Sequence, residues 1–314
     1  MQVAAITIGK ALLACVFLAP LAGCEEAVFP YRTEALYAVD PRLVSHVEIA
    51  AWPVPVPLPA FLAVRPDGAL IVVGGRSGAI LDTNGTVQAR FGWQGPAATA
   101  VAAGADGHTF VGAGNCVVAV DSSRQATAWD SLGETARIAG MAASSNQVWL
   151  CDAAQRVVWR FDYEGRLLGQ LPPPGAPREL SFVVPSPSFA AAAATGGCFW
   201  VVNPGRFQLQ RHAADGRLLD KWAAPGMTTP GFSGCCNPAF LALLPNGDLL
   251  TSEKKIPRLK IYSPDGTFRS VVVPPASLPG DEGRPVTVDR AGRVLVLDGS
   301  RIRIFARRGN SCLR

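Results

Sequence analysis

Four polar side chains recur at comparable points along the chain: Asp152, Asn203, Glu253 and Asp298. Each is followed within a few residues by an arginine, namely Arg156, Arg206, Arg258 and Arg301, with Lys254 beside Glu253. Carboxylates and a carboxamide that converge can hold Ca2+ or another divalent cation and activate a water for hydrolysis. Alternating with guanidinium groups, the same residues can form a polar rim for an anionic small ligand or a peptide. A third reading is a set of salt bridges that a structural repeat copies from unit to unit.

The cysteines offer other chemistry. Cys235 and Cys236 are adjacent, and a bond between neighbours closes a strained ring. With Cys116 and Cys151 they could form a thiolate-rich metal or redox site. An exported protein could instead oxidise its cysteines into structural disulfides, or bury them as free thiols. The metal therefore stays unknown and no cofactor is predicted beyond a possible divalent cation. His46, His108 and His212 are the only histidines and are widely separated. The chain has no Gly-x-Ser-x-Gly, no phosphate-binding glycine loop and no Cys-x-x-Cys. The segment Pro230-Gly231-Phe232-Ser233-Gly234 lacks the strand–helix context of a nucleophile elbow and reads as a turn. No complete catalytic set is visible, so the expectation leans away from an enzyme.

Positioning these residues requires many short elements. Of 314 residues, 49% are hydrophobic and only 17% charged, with 32 Gly and 26 Pro, a composition suited to short strands and tight turns. The net charge of +5 is modest and the basic residues are scattered, which argues against a nucleic-acid partner. A turn signal recurs every 39 to 51 residues: Asp67-Gly68, Asp106-Gly107, Ser145-Asn146, Gly196-Gly197, Asn246-Gly247 and Ala291-Gly292. Each precedes an apolar strand, and most are followed by a second turn such as Asn84-Gly85, Glu164-Gly165 or Asp265-Gly266. Alternating segments such as Arg258–Tyr262 lie between them, which is hairpin patterning. Six units of four antiparallel strands predict an all-β fold, a six-bladed β-propeller. The sixth unit lacks room for its fourth strand. Val44–Trp52 is predicted to pair with that unit and close the ring, which removes an open sheet edge.

The N-terminus carries an address. Lys10 precedes an apolar run from Ala11 to Gly23 that is too short to span a bilayer, ending in Leu21-Ala22-Gly23-Cys24. This matches a lipobox, so residues 1–23 are expected to be a signal peptide and Cys24 the lipidated residue. Residues 24–43 would be a tether and 44–314 the propeller. Acylation would moor the protein to a bacterial envelope membrane, with the propeller on its periplasmic or outer side. By resemblance to enteric lipoprotein sorting rules, Glu25 after Cys24 implies the outer membrane.

The pattern Pro-Asp-Gly-x-Leu-x-Val, with an arginine entering the next strand and a second Asp-Gly turn, resembles NHL repeats over about residues 60–309. The C-terminal half resembles a group of bacterial NHL-repeat lipoproteins through Val202-Asn203-Pro204-Gly205-Arg206, Gly234-Cys235-Cys236-Asn237-Pro238 and Pro257–Gly266. The resemblance implies a six-bladed fold that serves as a binding platform. Where that group often places a histidine after Cys-Cys-Asn-Pro, this chain has Ala239-Phe240. Amidating-lyase and streptogramin-lyase propellers, more distantly similar, rely on histidines at the channel mouth, which three scattered histidines do not supply. A lactonase-like propeller would hold its cation with residues of the Asp152, Asn203, Glu253 and Asp298 types. The leading expectation is a membrane-tethered scaffold that binds an envelope protein or small molecule. A metal-dependent hydrolase and a redox accessory using Cys235-Cys236 are the alternatives.

Overall fold

The computed structural model describes residues 36–309. The proposed signal peptide and Cys24 lie outside them, as does Cys312. The strand order follows the turn signals. After β1 (His46–Pro53), blade 1 is β2 (Ala60–Val64), β3 (Leu70–Gly74), β4 (Ser77–Leu81) and β5 (Val87–Gly92). Blade 2 is β6 (Ala100–Ala103), β7 (Thr109–Ala113), β8 (Cys116–Val120) and the short β9 (Ala126–Ala128). Blade 3 is β10 (Ile138–Ala143), β11 (Val148–Asp152), β12 (Val157–Phe161) and β13 (Leu167–Leu171). Blade 4 is β14 (Ala191–Ala193), β15 (Phe199–Asn203), β16 (Gln208–His212) and β17 (Leu218–Ala223). Blade 5 is β18 (Phe240–Leu243), β19 (Leu249–Ser252), β20 (Leu259–Tyr262) and β21 (Phe268–Val273). Blade 6 is β22 (Val286–Val288), β23 (Val294–Asp298) and β24 (Arg301–Arg307), completed by β1.

The closing strand is the expected one. β1 runs antiparallel to β24, with His46 opposite Arg307 and Pro53 opposite Arg301. Part of the expected tether also packs against the ring, where Tyr37 donates its hydroxyl to the Lys255 carbonyl.

Local chemistry makes the turns. Asp82, Asp162 and Asp289 each turn one carboxylate oxygen back onto two backbone N–H groups within the next four residues, the usual role of Asp in a tight turn. Glycine follows at positive φ, as at Gly85, Gly165 and Gly292. The core consists of six apolar clusters, each between neighbouring blades. Between blades 6 and 1, for example, Leu295, Leu297 and Ile304 meet Leu62, Leu70 and Val72. Each blade therefore buries both faces against its neighbours, and ring closure buries the last pair.

The innermost strands β2, β6, β10, β14, β18 and β22 line a narrow channel with small and apolar side chains, including Ala100, Ala139, Gly140, Ala190, Phe240 and Val286. Turns such as β11–β12 and the connections between blades share one end of this channel, the upper face. The long connections over 172–190, 224–239 and 274–285 all lie there.

Candidate functional site

The four recurrent polar residues stand at the upper ends of their strands, as the repeat predicts, but they are internal staples. Each fastens the connection arriving from the preceding blade. Asp152 is wholly buried. Its Oδ1 accepts the N–H groups of Arg137, Ala154 and Gln155 at 3.0–3.1 Å, and its Oδ2 accepts the Trp159 indole N–H at 3.2 Å. Asn203, also wholly buried, accepts from Val183 N–H at 2.8 Å and donates to the Ser181 carbonyl at 3.2 Å. Asn237 holds its own loop to Lys254 in the same manner.

Glu253 makes the most demanding staple. It pairs with Lys260 at 2.6 Å and Arg258 at 3.2 Å, all three buried. The two cations also donate to carbonyls of the connection above: Arg258 to Gly231 at 2.8 Å, Lys260 to Gly231 at 2.7 Å and to Thr229 at 3.1 Å. Tyr262 donates to the Pro230 carbonyl. Burial outweighs the attraction of Glu253 and lowers the Lys260 ammonium to about 7, with Arg258 adding repulsion. Asp298 is held by Arg284 at 2.8 Å and by Arg303 at 3.0 Å.

These placements correct the expected rim. Asp152, Asn203, Glu253 and Arg258 are buried and face no solvent. Only Glu253 pairs with its following arginine. Asp298 takes Arg303 instead of Arg301: the two arginines share a face of β24, but Arg303 lies deeper in the blade while Arg301, at the strand's start, is exposed. Arg206 donates to the carbonyls of Arg178 and Glu179. Lys254 donates to the Ser186 hydroxyl at 2.7 Å. Arg156 and Arg301 are exposed and make no side-chain hydrogen bond among the described residues. A divalent cation does not fit these donors: the oxygens it would need are committed to backbone N–H groups, an indole or guanidinium and ammonium groups. Among the described residues, no three His, Cys, Asp or Glu side chains come together.

The cysteines are likewise corrected. Among the described residues, Cys116, Cys151, Cys198, Cys235 and Cys236 are not bonded to one another. Nor do four thiols converge. Cys151 sits in the apolar cluster between blades 3 and 4, where burial pushes its thiol up. Cys116 donates to the Ala113 carbonyl within its own turn. Only Cys235, exposed, and Cys236, buried, are neighbours. The histidines fall in blade 6 (His46), in a blade 2 turn beside Asp106 (His108) and at the end of β16 (His212).

The open feature of the upper face lies elsewhere. A cleft of about 650 Å³ opens beside the channel mouth, between the start of blade 1 and the 274–285 connection. Leu58, Phe61, Phe240 and Pro285 supply apolar surface, and Asp281, Glu282 and Arg284 supply charge. Phe61, Phe240 and Pro285 also line the channel, so the two spaces adjoin. Leu58 is 50% exposed and adjoins Phe61 and Phe240, so the cleft carries a continuous apolar patch. Asp281 pairs with Lys255 and Arg284 with Asp298, while the Glu282 carboxylate has no ion pair among the described residues. Sequence reasoning missed this group. Its one local signal is the Gly-Asp-Glu-Gly run at Gly280–Gly283, polar and turn-rich ahead of a strand.

The chain is a six-bladed β-propeller whose upper face carries an apolar cleft with a charged edge. No protein-family model and no curated protein matches it. Solved structures similar in fold include a streptogramin B lyase, at 15% identity and TM-score 0.55, covering 79% of this chain and 78% of that one. A virginiamycin B lyase from Staphylococcus aureus gives 10% identity and TM-score 0.53, covering 83% and 98%. A protein of unknown function from Bacteroides caccae gives 14% identity and TM-score 0.51, covering 74% and 84%.

Proposed function

We propose that this protein is an NHL-type propeller acting as a binding scaffold at a bacterial envelope membrane, with its ligand seated in the cleft beside the channel mouth. The observation that carries this reading is the pairing of exposed Leu58 and half-buried Phe61 and Phe240 with the unpaired Glu282 carboxylate. An apolar floor with a few polar groups at its edge is what a recognition site needs. Such a surface suits a peptide segment or small molecule that places an apolar group beside a cation. The polar residues that could have served hydrolysis are instead spent on holding connections. Acylation at Cys24 would supply the membrane attachment.

A photo-crosslinking residue placed at Leu58 tests the ligand in cells, with one at Ser123, on the opposite face, as the control. The reading expects a discrete adduct from position 58 that Glu282→Lys diminishes. Equal labelling from both positions, or none from 58, would reject it. The anchor has its own test: Cys24→Ser should move the protein from the membrane to the soluble fraction.

A further inference from the structure

The grooves between blades 3 and 4, 4 and 5, and 5 and 6 are each crossed by a long connection on the upper face, and each presents an equivalent β-strand position beneath it. Those positions are Gln210, Lys260 and Arg303, which stand opposite Val201, Thr251 and Val296 in the strand registers. In two grooves the residue reaches the connection and seals it. Lys260 donates to the carbonyls of Thr229 and Gly231, and Arg303 to that of Ser277 at 2.7 Å. In the third it does not. Gln210 bonds Gln208 at 2.8 Å and approaches His212 at 3.2 Å, with no bond to the 172–190 connection among the described residues. Between this ladder and the connection lies a cavity of about 420 Å³. Its walls are Leu171, Pro173, Leu180, Phe182 and Leu218.

We propose that this cavity is a binding site for an uncharged, largely apolar small molecule whose carbonyl or hydroxyl oxygen accepts a hydrogen bond from Gln210. The volume lies within the range of small-molecule sites, about 300–1,000 Å³. Gln210 and His212 are both buried and both line it.

The polar ladder defines the ligand's polarity. His212 Nδ1 lies 3.1 Å from the Gly216 carbonyl, which can only accept, so that nitrogen carries the proton. Burial keeps the imidazole neutral, and Nε2 is then an acceptor. It must face an N–H of Gln210, whose carbonyl oxygen in turn receives an N–H of Gln208; turning both amides satisfies this without moving a heavy atom. Gln210 keeps one further N–H for the cavity. A neutral acceptor on an apolar body takes the place that loop carbonyls take in the other grooves. Asp215 and Arg217 also line the cavity, but both are solvent-exposed, so its buried part offers no counter-charge and an ion there is disfavoured.

Nile red, a neutral apolar dye with a ring carbonyl, is a suitable probe for the full-length protein. Wild type should bind it saturably with blue-shifted emission. Leu180→Trp fills the cavity from the connection and Leu218→Phe from the strand. A folded example of either should weaken binding by about tenfold or more. Gln210→Met should weaken it less and shift the emission further to the blue, because the hydrogen bond to the dye is gone. Absence of saturable binding by folded wild type, or equal affinity in both filled variants with circular dichroism unchanged, overturns the proposal.

Discussion

Gly85, in the β4–β5 turn of blade 1, lies against the indole of Trp52 in the closing strand so closely that a Cβ there would overlap the ring. The contact recurs between successive blades. A Cβ on Gly165 would come within 2.8 Å of Trp129, and one on Gly266 within 2.7 Å of Trp222. An aromatic residue at the outer edge of one blade thus packs on a glycine in the next blade's turn, and Trp52 carries this lock across the ring junction.

Gly85→Ala should therefore lose about 2–4 kcal/mol, from backbone strain at positive φ together with overpacking against the indole. Gly247→Ala is the matched control, since Gly247 has φ +87 and nothing within 4 Å of its Cβ position. It should lose only about 1 kcal/mol. Urea unfolding of the two variants measures the difference, and equal losses would mean that the Trp52 contact contributes nothing.

Lys260 predicts a pH dependence with a definite sign. Its ammonium is lowered by burial from 10.5 to about 7, so between those values the unfolded chain binds a proton that the folded chain does not. Stability from this group therefore rises as pH increases from about 7 towards 10.5. Subtracting the profile of Lys260→Met, which keeps the side-chain length, isolates the effect. A flat difference across that window would show that the Glu253 pair keeps Lys260 charged. Glu253→Gln, which strands two buried cations, should cost about 3–5 kcal/mol in the same assay.

His46 begins the closing strand, and burial, with the Arg307 charge beside it, lowers its imidazole from 6.5 to about 4. The folded ring holds His46 neutral, so its contribution to stability is complete above pH 6.5 and is lost progressively as pH falls towards 4. Protection of amides in residues 46–53 and 301–307, measured against the intrinsic exchange rate at each pH, should fall over that interval, more than in blades 2 and 3. His46→Gln should remove this fall.

Among the five described cysteines, thiol labelling of reduced, folded protein should modify Cys235 first, because it is the exposed one. Cys151, enclosed in the blade 3–4 core, should react only on unfolding. Rapid labelling of Cys151 in native buffer would show that the core between those blades opens.

Much of the architecture was readable without coordinates. Asp-Gly and Asn-Gly turns at regular spacing, with alternating apolar residues between them, report hydrogen bonding among residues close in sequence. That suffices to count six blades and to identify Val44–Trp52 as the strand that completes the last. The upper-face positions of Asp152, Asn203, Glu253 and Asp298 were legible for the same reason, since each occupies the same point of its repeat. Their role as staples was not, because it depends on which connection descends onto each strand end. The connections are the segments where the repeat lapses.

Sequence alone determined the periodic part of this protein: strand number, turn chemistry and the partner of the closing strand, all consequences of period-2 patterning and local backbone bonding. Tertiary structure decided which polar groups are free. Arg303 reaches Asp298 where Arg301 is nearer in sequence, the five described cysteines form no bond with one another, and Gln210 faces a cavity where Lys260 and Arg303 meet a loop. Leu58 and Phe61 from blade 1, Phe240 from blade 5 and Glu282 from the connection into blade 6 become neighbours only when the ring shuts. Burial and pairing are properties of distance in space, and residues far apart along a chain carry no record of that distance until it folds.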